Sequence, residues 1–543
     1  MKKNEEKLNK SQSKTRGKRK ERKQKSINPA LLTPEQQAFL EKEEKIDKIN
    51  DRMNKPIIGF SYICAFIVIG MMAYIVHFMV ADSDEVIANS ANPRLDSYAE
   101  NVNRGDIKTS DGKVVATGDT DNRKYPYDNL FAHVVGYSKY TKAGIERIGN
   151  YHLTESHCNI FERLIHTLRE EKNEGDTVVA TVNYELQKTA YNALGGADGA
   201  VVAMEPDTGK ILAMVSKPDF NPNDIDAVWE EANSENSTSS VLLNRASQGL
   251  YAPGSTFKVL TTLAYMRQYP GKYDEYSYNC ATEDAVFNSV SVHCYGRKTH
   301  GQEDLSKALA NSCNQAYADI GTKLDVDQWR DMLEDFLFNK SLPYMDSSAD
   351  SRFYLDGKSN SGYVPQTAFG QGDTLITPLH NAMIMSTIAN GGLMMKPYLI
   401  DSVESYKGTR IKKFSPSSYD TLMTSKEVET LTGYMRKVVT EGTAAPYFEG
   451  ATYEAAGKTG TARVVLGKDD NPKKGDPYVS VDGLRRYQAT FVGFFPADEP
   501  KYTAIVVTYT DMLNPGVNVY GGETPAATFK DIVDEIWAYE TEW

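Results

Sequence analysis

One stretch constrains the whole chain: PIIGFSYICAFIVIGMMAYIVHFMVA, from Pro56 to Ala81. Its only possible charge near neutral pH is His77. About 20 apolar residues are enough for a helix to cross the hydrocarbon core of a bilayer. The stretch is too long for the apolar region of a cleaved signal, and no convincing small-x-small cleavage site follows it. Ile57 to Ala81 is therefore expected to be a single membrane-spanning anchor. Before it, Met1 to Ser26 is dense in Lys and Arg, including RGKRKERKQK, and after it comes the acidic DSDEVIA. That asymmetry puts Met1 to Lys55 in the cytoplasm and everything after Asp82 outside.

Charge then narrows the partners. The chain of 543 residues has 61 Lys and Arg against 73 Asp and Glu, a formal net charge of -12. Because the basic residues crowd into the tail, the remainder is more acidic than this total, which argues against nucleic acid as the main partner. The tail reads more readily as a solvated segment beside anionic lipid than as a nucleic-acid arm. Of the five cysteines, Cys64 lies in the apolar stretch and Cys158, Cys280, Cys294 and Cys313 lie beyond it. Cys280 and Cys294 flank a short loop and are a plausible disulfide, with free thiols equally open. No C-x-x-C motif or His/Cys cluster is evident in the sequence, so no metal and no cofactor is expected.

Hydrophobic periodicity and turn residues give a coarse map of the outer part. RGDIKTSDGKVVATG reads as two short strands around Asp111-Gly112. GAVVAMEPDTGKILAMVS reads as a second hairpin, with strands Gly199 to Met204 and Lys210 to Ser216. Between them, Tyr184 to Leu194 has helical spacing. Ser240 to Thr440 reads mainly as helices and loops, including an amphipathic helix in PLHNAMIMSTIANGG that stops at Asn390-Gly391-Gly392. Strand character returns at Glu454 to Val465, Ala489 to Phe495 and Tyr502 to Thr510, before a helix over about Ala526 to Tyr539. The expected closure is one mostly antiparallel sheet, two strands from the start and three from the end, with helices on its faces.

Three short motifs lie on this frame in a fixed order. Ser255 and Lys258, in STFK, share a helix face after Pro253-Gly254. Ser312 and Asn314 stand in SCN, and Lys458 to Thr461 spell KTGT in an expected strand. Each alone is weak. Ser-x-x-Lys recurs as SQSK at Ser11 in the basic tail, and Ser-x-Asn recurs at Ser26, Ser90, Ser234 and Ser277. Together they match the S-x-x-K, S-D-N and K-T-G set of serine acyl-transferring sites.

With these motifs the chain resembles the class B penicillin-binding proteins, the peptidoglycan D,D-transpeptidases. RGDIKTSDGKVVA, NRASQGLYAPGSTFK, FGQGDTLITPLHNAM and FVGFFPADEPKY also resemble segments of that family. The resemblance implies an α+β fold of the penicillin-binding-protein and β-lactamase type: a five-stranded antiparallel sheet covered by helices, an all-α subdomain, a smaller pedestal domain and one transmembrane helix. The implied domains are a tail over 1–56, an anchor over 57–81, a pedestal over 82–175 and a transpeptidase domain over 176–543. Cys313, between Ser312 and Asn314, is read as packing.

The chemistry can be argued from the residues. A serine hydroxyl needs activation to attack an acyl group at neutral pH. Lys258, one turn on, can take its proton if held neutral, and burial together with the cation of Lys458 would lower its pKa. On this reading Lys458 stays charged. Ser312 can relay a proton to the leaving amine, and Asn314 can orient Lys258 and the substrate amide. By resemblance, the backbone N–H groups of Ser255 and Thr461 form the oxyanion hole. Thr459, Gly460 and Thr461 bind substrate, with Lys458, Thr459 and Thr461 facing the carboxylate of a stem peptide ending in D-Ala-D-Ala. The peptide would lie along the Lys458 strand as an added strand.

The resemblance implies a monofunctional transpeptidase and target of β-lactams, with a D-Ala-D-Ala carboxypeptidase side reaction. The implied partner is a polytopic SEDS-type glycosyltransferase. A β-lactamase would need a water-activating Glu in a Glu-x-x-Leu-Asn setting, and none stands between Ser312 and Lys458. A β-lactam sensor would need more spans or a large cytoplasmic domain. A bifunctional synthase would need a glycosyltransferase domain before residue 175, where the room is too small. An inactive scaffold would not need all three motifs intact.

Overall fold

A computed structural model of the chain describes residues 33–79, 102–235, 237–464, 472–474, 476–510 and 525–541. Most of the basic tail, the last two residues of the apolar stretch and the acidic flank lie outside the described residues. The chain divides into two compact units, Met1–Ile87 and Ala88–Trp543.

The first unit holds one long helix, α1 (Pro34–His77). A capping box starts it: Thr33 Oγ1 accepts from the Gln36 N–H, and Gln36 Oε1 accepts from the Thr33 N–H. Its segment Lys55–His77 spans 23 residues with a mean hydropathy of 2.1 and no burial. Such a segment is compatible with a single-pass membrane anchor.

The second unit begins with a hairpin, β1 (Ile107–Lys108) and β2 (Val114–Ala116), turned at Asp111-Gly112 as expected. Gly112 sits at φ 83°, where only glycine is at ease. Just before the hairpin, Arg104 is buried and fully engaged. Its guanidinium donates to Glu146 Oε2 at 2.6 Å, Asn150 Oδ1 at 2.6 Å and the Glu146 carbonyl at 2.7 Å. Arg123 holds the other Glu146 oxygen at 2.6 Å. Strand β3 (Thr177–Ala180) pairs with β1 in parallel.

Asn183 caps α2 (Tyr184–Leu194), whose bounds match the expected helix. The second hairpin follows as β4 (Gly199–Met204) and β5 (Ile211–Lys217). A 3-10 turn, Gly254–Phe257, then runs into α3 (Lys258–Gln268). Next come four short strands that the sequence had hidden: β6 (Tyr278–Cys280), β7 (Asp284–Phe287), β8 (Val290–His293) and β9 (Gly301–Glu303). Helices α4 (Leu305–Ala310) and α5 (Asn314–Lys323) follow, and then α6 (Pro378–Ala389). Strands β10 (Ile400–Glu404) and β11 (Arg410–Lys413) precede α7 (Ser425–Thr440). The last elements are β12 (Ala456–Arg463), β13 (Tyr487–Phe495), β14 (Tyr502–Tyr509) and α8 (Pro525–Thr541).

The central sheet has five strands in the order β12-β13-β14-β4-β5, every neighbouring pair antiparallel. This is the expected closure. Residues of β4, β13 and β14 are buried almost without interruption, so both faces are covered. Helices α2 and α8 pack on each other and on the sheet, and α6 packs on β4, β13 and β14. A second five-stranded sheet, β11-β10-β3-β1-β2, joins strands from both sides of residue 175.

Helix α6 departs from the sequence reading. Instead of one apolar face, every residue from Pro378 to Ile388 is buried. Two of its polar residues are bonded inside: Asn381 Nδ2 donates to Thr256 Oγ1 at 3.2 Å, and Thr387 Oγ1 to the Met383 carbonyl at 2.8 Å. They had passed for a solvated face.

Candidate active site

The three motifs come from three elements and meet at one cleft. Ser255 lies in the 3-10 turn, where residues three apart eclipse each other, so Ser255 and Lys258 line up. Gly254 makes the turn possible. It holds φ 56° and donates its N–H to the Gly370 carbonyl at 3.0 Å. A Cβ on Gly370 would overlap the Gly254 carbonyl, so this approach requires glycine. Phe257 fixes the far side of the turn in a buried aromatic cluster, with ring centroids 5.9 Å from Trp329 and from Phe338. Ser255 itself is half-buried and lines the cleft.

Lys258 is fully buried, and its ammonium group points at the second motif. Nζ donates to the Ser312 carbonyl at 2.7 Å, Ser312 Oγ at 3.1 Å and Asn314 Oδ1 at 2.8 Å. It bonds Ser312 and Asn314 rather than Ser255, a looseness common in ligand-free sites. Asn314 is fixed in turn by donating to the His293 carbonyl at 3.0 Å. Ser312 sits between α4 and α5 at φ 55°, a left-handed conformation that costs a non-glycine residue about 1–3 kcal/mol. That backbone turns both its carbonyl and its hydroxyl toward Lys258.

Lys458 is also fully buried, on edge strand β12. Its Nζ donates to Ser312 Oγ at 3.1 Å and to the Thr459 carbonyl at 3.0 Å. One hydroxyl therefore stands 3.1 Å from each of two lysine nitrogens. Gly460 lets the strand approach the Ser255 turn, since a Cβ there would come within 3.1 Å of Thr256 Cγ2 and 3.2 Å of the Pro253 carbonyl. Thr459 is tied to Thr443 through a 2.6 Å hydroxyl contact. Thr461 lines the cleft beside Ser255.

Two buried cations on one hydroxyl disfavour each other. Burial pushes the Lys258 ammonium down to about 8, while the thiols of Cys294 and Cys313 work in the opposite direction. Lys458 is driven well below its ordinary value, by burial first and then by the charge of Lys258. The expected charge on Lys458 is thus held at a site where burial and the neighbouring lysine both weigh against it. Each ammonium has three acceptors around it, and the two disfavour carrying a proton together.

The cleft has a volume of about 710 Å³. Among its described lining residues there is no carboxylate, whereas Arg297, Lys298, Arg463 and Arg485 all reach it. Glu303 stands behind Asn311, accepting from its Nδ2 at 2.8 Å, with its carboxyl held above the usual range by burial. Thr443, the His293 carbonyl and the four cations were missed from sequence, because no motif marks them. The fold also gathers Cys280, Cys294, Cys313 and His300 into a cluster that their sequence spacing does not show, with Cys294 and His300 lining the cleft. All three thiols are free, and Cys280 and Cys294 are 3.9 Å apart at sulfur, so the plausible disulfide is not formed.

Residues 199–534 match the model of the penicillin binding protein transpeptidase domain, and residues 104–178 that of the penicillin binding protein A dimerisation domain. The chain is 30% identical over 456 residues to the peptidoglycan D,D-transpeptidase PbpA of Mycolicibacterium smegmatis, covering 78% of this chain and 87% of that protein. Its fold is similar to the D,D-transpeptidase domain of a peptidoglycan glycosyltransferase from Eggerthella lenta. The TM-score is 0.67 at 28% identity, over 82% of this chain and 100% of that one. It is likewise similar to the penicillin G acyl-enzyme complex of penicillin-binding protein A from M. tuberculosis. There the TM-score is 0.66 at 27% identity, over 80% of this chain and 99% of that one.

Proposed function

The chain belongs to the penicillin-binding protein transpeptidases, and from that premise we propose that Ser255 is the nucleophile and Lys258, Ser312, Asn314 and Lys458 its proton-handling partners. It is a serine D,D-transpeptidase of peptidoglycan and a target of β-lactams. The observation that carries the residue roles is the Ser312 hydroxyl standing 3.1 Å from both lysine nitrogens.

A stem peptide ending in D-Ala-D-Ala pairs along the exposed edge of β12. Its terminal carboxylate meets Lys458, Thr459, Gly460 and Thr461. The anion raises the proton affinity of Lys458, and the Ser312 hydroxyl passes a proton to it from Lys258. Lys258 is then a free base. It takes the Ser255 Oγ proton as the oxygen attacks the carbonyl of the penultimate D-Ala. The backbone N–H groups of Ser255 and Thr461 receive the developing oxyanion. As the C–N bond breaks, Ser312 relays a proton to the leaving amine of the terminal D-Ala. An ester on Ser255 remains. A neighbouring stem's amine then attacks it, forms the cross-linking amide, loses a proton to the same relay and frees Ser255.

A β-lactam enters by the same attack, but its opened ring stays tethered in the adduct. Among the described lining residues no carboxylate stands to activate water, so its hydrolysis is proposed to lack general-base help worth about 10²–10⁴ in rate. This supports a transpeptidase over a β-lactamase of the same fold. The basic flank and the Lys55–His77 segment support a single-pass arrangement, with the N-terminus cytoplasmic and the catalytic unit outside. The pedestal over 82–175 and the transpeptidase domain over 176–543 complete the reading. Glycan polymerisation falls to a separate SEDS-type glycosyltransferase. The test incubates the full chain in detergent with a synthetic D-Ala-D-Ala stem peptide and an acceptor amine. Released D-Ala matched by a new amide is the expected result. D-Ala release with only hydrolysed peptide, at every acceptor concentration, would overturn it.

A further inference from the structure

We propose that Cys280, Cys294, His300 and Cys313 bind a structural zinc ion that braces the wall of the cleft behind Ser312. The four ligands come from four separate pieces of chain. Cys280 ends β6, Cys294 follows β8, His300 precedes β9 and Cys313 caps α5. Their sequence separations follow no zinc-binding pattern, and only the fold unites them. Their ligand atoms all lie within 4.8 Å of one another.

The distances fit a tetrahedron. Ligands at about 2.3 Å for Zn–S and about 2.0–2.1 Å for Zn–N stand about 3.8 Å apart between sulfurs and about 3.5 Å apart between sulfur and nitrogen. Here Cys280 and Cys294 are 3.9 Å apart at sulfur, and Cys294 and Cys313 are 3.7 Å apart. Cys280 Sγ stands 3.7 Å from His300 Nδ1. A disulfide would need about 2.05 Å. All three cysteines are completely buried.

The Ala316 N–H donates to Cys313 Sγ at 3.4 Å. Such N–H···S bonds stabilise a coordinated sulfur in the way outer partners support metal ligands. Three soft thiolates and one imidazole select zinc over hard cations. Four protein ligands leave no open position, so the ion is structural and takes no part in acyl transfer.

Its place gives it a consequence. Cys313 lies between Ser312 and Asn314, and Cys294 follows His293, whose carbonyl holds Asn314. Zinc would lock the β7–β8 hairpin to the Ser312 loop and fix one side of the cleft. The proposal is independent of the acyl-transfer reading, because metal content can be measured whatever the enzyme does.

The test is elemental analysis of the full chain, purified in detergent without chelators. About one zinc per chain is expected. Cys294→Ser and His300→Ala should each lose it, while Cys158→Ser, outside the cluster, should retain it. To separate ligand loss from misfolding, the wild-type protein is also titrated with a mercurial while released zinc is followed with a colorimetric chelator. Zinc should leave in step with the modification of three thiols. Cobalt(II) exchanged into the wild type should give the intense visible bands of a tetrahedral thiolate site. A zinc-free protein would overturn the proposal, as would zinc retained in both ligand variants. So would a Cys280–Cys294 or Cys294–Cys313 disulfide in the peptide mass map.

Discussion

Ser312 combines a backbone outlier with a proton path. Its φ of 55° brings one hydroxyl between two buried lysines. Ser312→Gly separates these roles, because glycine keeps the left-handed backbone and loses the hydroxyl. Penicillin acylation should fall about 10²–10⁴-fold, while thermal stability should stay within about 1 kcal/mol of the wild type. Fluorescent-penicillin labelling and thermal denaturation measure the two. The lysine pair also sets the pH profile, with macroscopic values that belong to the pair. Lys258 is lowered to about 8 and Lys458 well below its ordinary value, and each charge disfavours the other, so the proposed mechanism uses a pair that holds one proton. That is the working form: the proton goes to Lys458 as the anion binds, and Lys258 is freed. A second proton, gained in acid, removes the base. Loss of the last proton, above about 8, removes the cation that meets the carboxylate. Acylation rate against pH should therefore be bell-shaped, with its alkaline limb near 8. A rate still rising through pH 9 and 10 would show that neutral Lys258 alone suffices.

Among the elements, the contact of β12 with the Ser255 turn depends on glycines. Gly460→Ala puts a methyl 3.1 Å from Thr256 Cγ2 and 3.2 Å from the Pro253 carbonyl, tighter than ordinary contact. The strand and the turn must part by a few tenths of an ångström. Acylation should drop about tenfold or more, since misplacement costs rate steeply, with a stability loss of about 1–3 kcal/mol. Labelling kinetics beside a melting curve would show it. Much of this frame was legible in the sequence, because long strands and capped helices carry a strong local signal. Tyr184–Leu194 and Gly199–Met204 have the bounds their patterns give. Ser255, Lys258, Ser312, Asn314 and Lys458 were legible through motif order, and the structure brings them together. The strands from Tyr278 to Glu303 were not, being only three or four residues long and stabilised by partners elsewhere. Thr443 and the cysteine cluster escaped for a related reason: their meaning lies in contacts distant in sequence. The complete burial of Lys258 and Lys458 was not legible either, because burial cannot be read from a motif.

At the scale of the whole molecule, anchor and catalytic unit are separable. The boundary between the compact units falls at Ile87. A chain beginning at Ala88 should fractionate as a soluble protein and label with penicillin at the full-length rate within about twofold, since a small drug needs no membrane positioning. Aggregation or unlabelled protein would mean that the anchor supports the fold. The central claim is an acyl-enzyme on Ser255 that water cleaves slowly. Time-resolved intact-mass spectrometry of the full chain with penicillin G tests it most directly. The account predicts a gain of one penicillin in mass, lasting many minutes, and no gain in a folded Ser255→Ala variant. An adduct that survives that substitution, or a drug hydrolysed over thousands of turnovers, would contradict it.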